Sequence, residues 1–136
     1  MKRDAFGFDR SRNLEQLEGA VWPHDDFPSH VVQECQRLRT VPVGELTDEN
    51  LRLLLGQKIG APYLVPIALD RLQENPLAEG DYYPGALLAN VLRLPDEFWE
   101  EHVALNNEVV ELTARVAEIQ KTLIDLAPDL ERFRYR

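Results

Sequence analysis

Two carboxylates and two tyrosines stand together in one short stretch, AEGDYYPGALL, which runs from Ala78 to Leu88. Glu79 and Asp81 could act as a general acid and base. Their place beside a glycine, ahead of a Pro-Gly pair that suits a helix entry, equally suits carboxylates that accept hydrogen bonds from free backbone amides. Tyr82 and Tyr83 belong to a residue type that is enriched at protein-binding hot spots. The stretch is therefore a catalytic pair, a surface for a partner, or only the entry to a helix.

A second group of side chains is of the types that bind metals. It consists of His24, Asp25, Asp26, His30 and Cys35. Their spacing matches no ligand motif with a defined geometry. The cysteine is the only one in the chain, lies on an apolar helix face, and no Ser-His-Asp or Cys-His arrangement is present. We therefore expect no metal, no cofactor and no catalysis.

Charge is unevenly distributed along the 136 residues, whose formal net charge is −9. Residues 1–12 carry four bases and two acids (+2), residues 13–101 six bases and 16 acids (−10), and residues 102–136 five bases and six acids (−1). An acidic body repels phosphate backbones, which argues against nucleic-acid binding. It attracts a basic protein and speeds that encounter, although acidity also simply keeps a protein soluble.

The composition indicates a soluble protein of one domain. Hydrophobic residues make up 44% and charged residues 29%, a balance typical of a chain that folds around one core. Neither the N-terminal residues nor any later segment has the apolar run of a signal peptide or a membrane span. A lone cysteine is compatible with a reducing compartment. We therefore expect a cytoplasmic protein that does not enter a membrane.

Helix signals recur along the chain, whereas strand alternation is almost absent. Ser29 and Thr47 precede apolar periodicity and predict helix N-caps. Pro95 opens a final helix that we expect to cover about 96–127, because Pro128 should end it. The sequence therefore predicts an all-α, single-domain bundle of about six helices with a long C-terminal helix. It occupies residues 13–136, behind a basic N-terminal arm that need not be ordered.

The last helix has a heptad pattern. Its seam repeats at intervals of four and three residues: Leu105, Val109, Leu112, Val116, Ile119, Leu123 and Leu126. Such a seam pairs helices in coiled coils and predicts a homodimer through its members from Leu105 to Leu123. A second apolar row, Val103, Val110, Ala117 and Ile124, broadens the stripe and favours packing on the domain's own core instead. Both alternatives remain open from the sequence.

Three segments, in this order and at close spacing, resemble a known family. They are LRLLLGQKIG, YLVPIAL and NPLAEGDYYPG, within a similar region from Leu14 to Trp99. The region resembles the immunity proteins of bacterial contact-dependent growth inhibition (CDI) systems. Relatives often carry an acidic residue after the Pro-Gly pair, where this chain has Ala86. The heptad-patterned extension after Trp99 is not part of the resemblance.

The resemblance implies an antitoxin that binds stoichiometrically to the toxin domain delivered by sibling cells. Toxins of such systems are frequently nucleases, whose clefts are basic, so an acidic protein could occupy one as a phosphate mimic. The expected toxin-binding residues are the exposed acids and tyrosines Asp25, Asp26, Glu79, Asp81, Tyr82 and Tyr83, with Glu45, Asp48 and Glu49 as weaker candidates. The alternative is a structural or adaptor protein that self-associates or binds a partner through the long C-terminal helix.

Overall fold

The computed structural model describes residues 7–23 and 29–136, and these residues form helices without any strand. The helices are α1 (Leu14–Glu18), α2 (His30–Leu38), α3 (Asp48–Gly56), α4 (Ala61–Glu74), α5 (Ala86–Leu92), α6 (Asp96–Glu101) and α7 (Val103–Glu131), with a 3₁₀ helix at Val43–Glu45. The predicted all-α domain with a long C-terminal helix is therefore confirmed. No helix within the described ranges is both long enough and apolar enough to cross a membrane.

Side-chain caps fix where the first helices begin. The Ser29 hydroxyl accepts a hydrogen bond from the Val32 amide at the start of α2. The Thr47 hydroxyl accepts one from the Asn50 amide (3.1 Å), and the Asn50 side chain accepts one from the Thr47 amide (3.0 Å), which completes a capping box for α3. Both predicted N-caps are confirmed.

The core forms where α3, α4 and α5 meet, and α7 joins it along α4. Fully buried leucines come from each of the three central helices, for example Leu54, Leu69 and Leu87. α4 is buried over most of its length because its sequence is apolar on nearly every side. The packing of these helices fixes the position of α3 and of the loop formed by residues 77–85.

The N-terminal arm is ordered in its second half. The Phe8 ring meets the Tyr63 ring edge-on, with 5.5 Å between centroids, and Arg10 forms an ion pair with Asp70 at 2.8 Å. The Gly44 amide donates to the Arg10 carbonyl oxygen (2.9 Å). These contacts attach residues 7–12 to the domain, whereas residues 1–6 lie outside the described part.

The helix expected over about 96–127 begins at Asp96 as predicted, but it is divided into two helices and ends at Glu131. The helix is interrupted at His102, whose backbone is not helical (φ −128°, ψ 62°). The His102 Nδ1–H donates to the Phe98 carbonyl oxygen at 2.7 Å, which satisfies one of the free carbonyls at the end of α6. α7 passes through Pro128 and ends at Glu131. A proline in the last turn removes only one helical hydrogen bond there, so the helix continues.

The apolar stripe of α7 divides into a buried and an exposed half. Leu105, Val109 and Leu112 are buried. Beyond them the same seam is uncovered: Leu123 is 51% exposed and Leu130 62% exposed. The second row does not pack on the core as its pattern suggested, because Val103, Val110, Ala117 and Ile124 are all exposed. Intramolecular packing therefore holds only for the first turns of α7.

Candidate protein-binding surface

Backbone hydrogen bonds close the loop between α4 and α5. The Gly85 amide donates to the Leu77 carbonyl oxygen (3.1 Å), and the Leu87 amide donates to the Ala78 carbonyl oxygen (3.2 Å). Ala78 itself is buried against the core. The loop is thus a compact turn that begins and ends at the same point of the domain, and its tip carries the acids and tyrosines of interest.

Glu49 of α3 attaches the loop tip to the domain. Its Oε1 accepts a hydrogen bond from the Asp81 amide (3.1 Å). Gly80 adopts a left-handed conformation (φ +64°), and a Cβ there would lie 2.7 Å from Glu49 Oε1 and 3.0 Å from Glu49 Cα. Only glycine allows both this turn and this close approach. The loop is therefore pressed onto α3 at one defined point.

Arg52 connects Glu49 with the aromatic side of the loop. Its Nε and Nη2 donate to the two carboxylate oxygens of Glu49, each at 2.6 Å. The same guanidinium lies over the Tyr82 ring, 3.8 Å from its centroid, which is a cation–π contact. We call Glu49, Arg52 and the bonded tip residues Asp81 and Tyr82 the loop clamp. It holds the tip without covering it, since Tyr82 stays 66% exposed.

A groove with a volume of about 370 Å³ opens beside the clamp. Three segments line it: His30, Val31 and Glu34 of α2, Glu49, Asn50, Arg52 and Leu53 of α3, and Asp81 and Tyr82 of the loop. Its rim combines carboxylates with exposed apolar and aromatic side chains. Such a mixture suits contact with another protein that presents basic and apolar groups.

Three charged groups of the groove, Glu34, Glu49 and Arg52, are held in ion pairs. The Arg52 guanidinium lowers the pKa of the Glu49 carboxyl; burial opposes this, and the Asp81 amide adds to the lowering. Glu49 in turn raises the pKa of Arg52. Hydrogen bonding from Arg37 lowers the pKa of Glu34. The ion pairs therefore hold these side chains in fixed positions at the edge of the groove.

The structure brings together only part of the predicted site. Asp81 and Tyr82 line the groove. Glu79 and Tyr83 are exposed on the same loop but do not line it. Tyr82 and Tyr83 lie at the surface, as an interface requires. Asp25 and Asp26 fall outside the described residues, so their nomination remains a prediction.

The weaker candidates have different surroundings. Asp48 forms an ion pair with Arg71 at 3.0 Å, which links α3 to α4. Glu49 serves the loop clamp, and Glu45 is exposed on the 3₁₀ helix. Sequence reasoning missed Arg52, although its position three residues after Glu49 is the spacing of an intrahelical ion pair. Within residues 7–23 and 29–136, no three His, Cys, Asp or Glu side chains are placed to share a metal ion.

Replacing Glu49 by glutamine tests the clamp through pH. A carboxyl whose pKa is lowered by folding stabilises the fold above its ordinary pKa of 4.5 and loses that effect as the pH falls. We expect Glu49→Gln to lower the free energy of unfolding by about 1–2 kcal/mol at pH 7. The difference from the unsubstituted protein should shrink as the pH falls below 4.5.

Urea unfolding at a series of pH values measures this difference. Glu97→Gln on the exposed surface of α6 is the matched control, because it removes the same charge away from the loop. A difference that stays constant down to low pH would show that Glu49 does not stabilise the loop as a carboxylate.

Comparison with known proteins identifies the family. A model of the family described as CDI immunity proteins matches residues 16–109. The match covers the loop, α3 and the start of α7, and it ends before the exposed half of α7. No curated protein and no solved structure matches the chain. Because the family match spans more than half of the 136 residues, the chain belongs to the family of CDI immunity proteins.

Proposed function

We propose that this immunity protein neutralises its cognate CDI toxin domain by one-to-one binding through the groove and the tyrosine loop. Family membership carries the immunity role. The loop clamp beside an open acidic groove is the observation that supports this surface. The toxin domain it fits presents a basic face, as a nuclease does around its nucleic-acid cleft.

Charge supports a basic partner. Residues 13–101, which contain every residue of the groove, carry a net charge of −10 from six bases and 16 acids. A domain with this net charge associates faster with a positively charged protein and disfavours nucleic acid as a direct ligand. Asp25 and Asp26 would extend this acidic surface.

Rigidity supports tight binding. The clamp fixes the loop tip before any partner arrives, so less conformational entropy is lost on association. Tyr82 and Tyr83 then offer aromatic area at defined positions, the type of residue that contributes most to interface energies. We infer inhibition by binding and not by catalysis, because ion pairs already engage Glu34, Glu49 and Arg52. The bacterial cytoplasm is the compartment where such neutralisation would occur.

Calorimetric titration tests the proposal. The toxin partner to use is the purified C-terminal domain of the large secreted protein encoded immediately upstream. We expect saturation at one-to-one stoichiometry and an affinity that weakens with added salt, since opposite charges meet across the interface. Absence of binding at tens of micromolar would contradict the proposed function.

Charge reversal on the loop tests the acidic face. Glu79→Lys with Asp81→Lys should slow toxin association by about tenfold at low salt and reduce its salt dependence, because steering acts on the association rate. Asp25→Lys with Asp26→Lys should act in the same direction. Stopped-flow mixing at several salt concentrations measures these rates.

Glu100→Lys with Glu101→Lys is the control for charge reversal. Both residues are exposed on α6, and the pair changes the net charge by the same amount. A loop variant that associates no more slowly than this control would remove Glu79 and Asp81 from the proposed interface.

Self-association through α7 is the second candidate function. The uncovered distal part of the seam, with Leu123 and Leu126 at the surface, favours it. Three members of the predicted dimer seam are buried in the domain's own core and are not available to a second copy: Leu105, Val109 and Leu112. Only Val116, Ile119 and Leu123 of that set have side-chain surface left for a second copy.

A further inference from the structure

The heptad seam continues beyond the part that the domain covers. We call the part beyond Leu112 the distal seam: Val116, Ile119, Leu123, Leu126 and Leu130 within α7, and Phe133 two residues past its end, still at intervals of three and four residues. Val116 and Ile119 are half-buried and the other four are exposed. The family match stops at residue 109, so the distal seam lies beyond the region the family shares.

We propose that the distal seam pairs with the distal seam of a second copy in an antiparallel coiled coil. From Val116 to Leu130 the seam already belongs to the 29-residue α7, so association need not order this part. Its seam is aliphatic except for Phe133, as expected of side chains that interlock between two helices. This inference does not depend on the immunity role.

The position of α4 limits the register of the pair. The seam is buried as far as Leu112, and Val116 still packs partly on the core, so a second helix has full access only beyond that residue. In a two-fold antiparallel pair centred between Leu123 and Leu126, these two residues face each other across the axis. Ile119 then faces Leu130 of the second copy, and Val116 lies level with the segment after the second helix, which carries Phe133. The four side chains from Ile119 to Leu130 thereby gain partners.

Charge selects the antiparallel orientation over the parallel one. The tail after α7 carries Arg132, Arg134 and Arg136, and a parallel pair would place the two tails side by side. An antiparallel pair brings each tail beside residues 113–117 of the other copy. Glu111 and Glu118 are exposed there, and Glu74 ends α4 next to Gln73, whose carbonyl oxygen binds Arg115. These three acids outnumber the two nearby bases, Arg115 and Lys121, so the tail meets net negative charge.

Sedimentation velocity across the micromolar range tests the pairing. We expect dimers that increase with concentration and disappear in Leu123→Asp with Leu126→Asp. Both leucines are exposed in the monomer, so circular dichroism should show that this variant remains folded. Ala114→Asp, an exposed position of α7 off the seam, is the control and should still dimerise. A monomer at all concentrations, or a dimer that survives the double substitution, would overturn the proposal.

Spin labels on Ala114→Cys test the orientation. In the antiparallel register the two labels are offset by about 21 residues, which corresponds to about 30 Å along the helix axis. A parallel pair would place them at the same level, and a short distance between labels would therefore overturn the antiparallel arrangement. The native Cys35 is buried and should not take the label.

Substitution of the tail provides an independent test of orientation. Arg132→Gln with Arg134→Gln and Arg136→Gln should weaken the dimer severalfold, since it removes the attraction to the acidic region of the second copy. In a parallel dimer the same changes would relieve repulsion, so stronger association would count against the proposal. None of the groove residues lies on α7, so toxin titration of these variants separates a failure of pairing from a failure of the immunity role.

Discussion

Replacing Tyr82 by alanine should weaken binding of the cognate toxin domain by at least about 2 kcal/mol, or roughly thirtyfold in Kd. Tyr82 presents an exposed ring at the edge of the groove, and the Arg52 guanidinium behind it keeps the ring in place. Removing the ring therefore deletes contact area that is already ordered. Calorimetric titration of the variant gives the change in Kd directly.

Tyr135→Ala is the matched control for this experiment. Tyr135 is a fully exposed tyrosine in the tail, far along the chain from the groove, and it should leave the affinity unchanged. Tyr82→Phe keeps the ring and its stacking on Arg52, so it should lose little affinity. Equal affinities for Tyr82→Ala and the unsubstituted protein would place the toxin elsewhere on the domain.

Alanine substitutions at Leu112 and Leu123 should lower the free energy of unfolding by different amounts, because only the first half of α7 packs on the core. Leu112→Ala removes a fully buried side chain and should lower the free energy of unfolding by about 3–4 kcal/mol. Leu123→Ala truncates a side chain that is half exposed and should cost less than about 1 kcal/mol in the monomer. The two residues belong to the same seam, so each serves as the control for the other.

Urea unfolding at low protein concentration, where the chain is monomeric, measures both values. Similar losses for the two variants would mean that the distal half of α7 packs on the domain. A small loss for Leu112→Ala would instead mean that α7 does not contribute to the core through this residue.

Local sequence signals predicted the helices because local chemistry determines where they begin. Ser29 and Thr47 cap their own helices through bonds that span three residues. The seam of α7 was predictable for the same reason. The residue at which the seam becomes exposed could not be predicted. That boundary depends on the position of α4 in the fold, and α4 ends more than 30 residues before Leu112 in the chain.

The candidate site was only partly predictable, since its key contacts join distant residues. Glu49 binds the amide of a residue 32 positions away, and Asp48 binds Arg71, which is 23 positions away. Neither pairing leaves a trace in local spacing, so both acids were assigned to an interface. The helix entry after the loop was predictable because the Pro-Gly pair that precedes α5 acts locally.

The hydrogen bonding in the loop clamp determines which positions of the loop can be substituted without loss of its structure. Glu49 accepts its bond from the backbone amide of residue 81 and makes no use of the Asp81 side chain. Any residue other than proline supplies that amide, so position 81, and the exposed position 79 beside it, are free to change while the loop stays seated. With the toxin bound at the proposed interface, substitutions at these two positions would change toxin specificity without altering the domain that presents them.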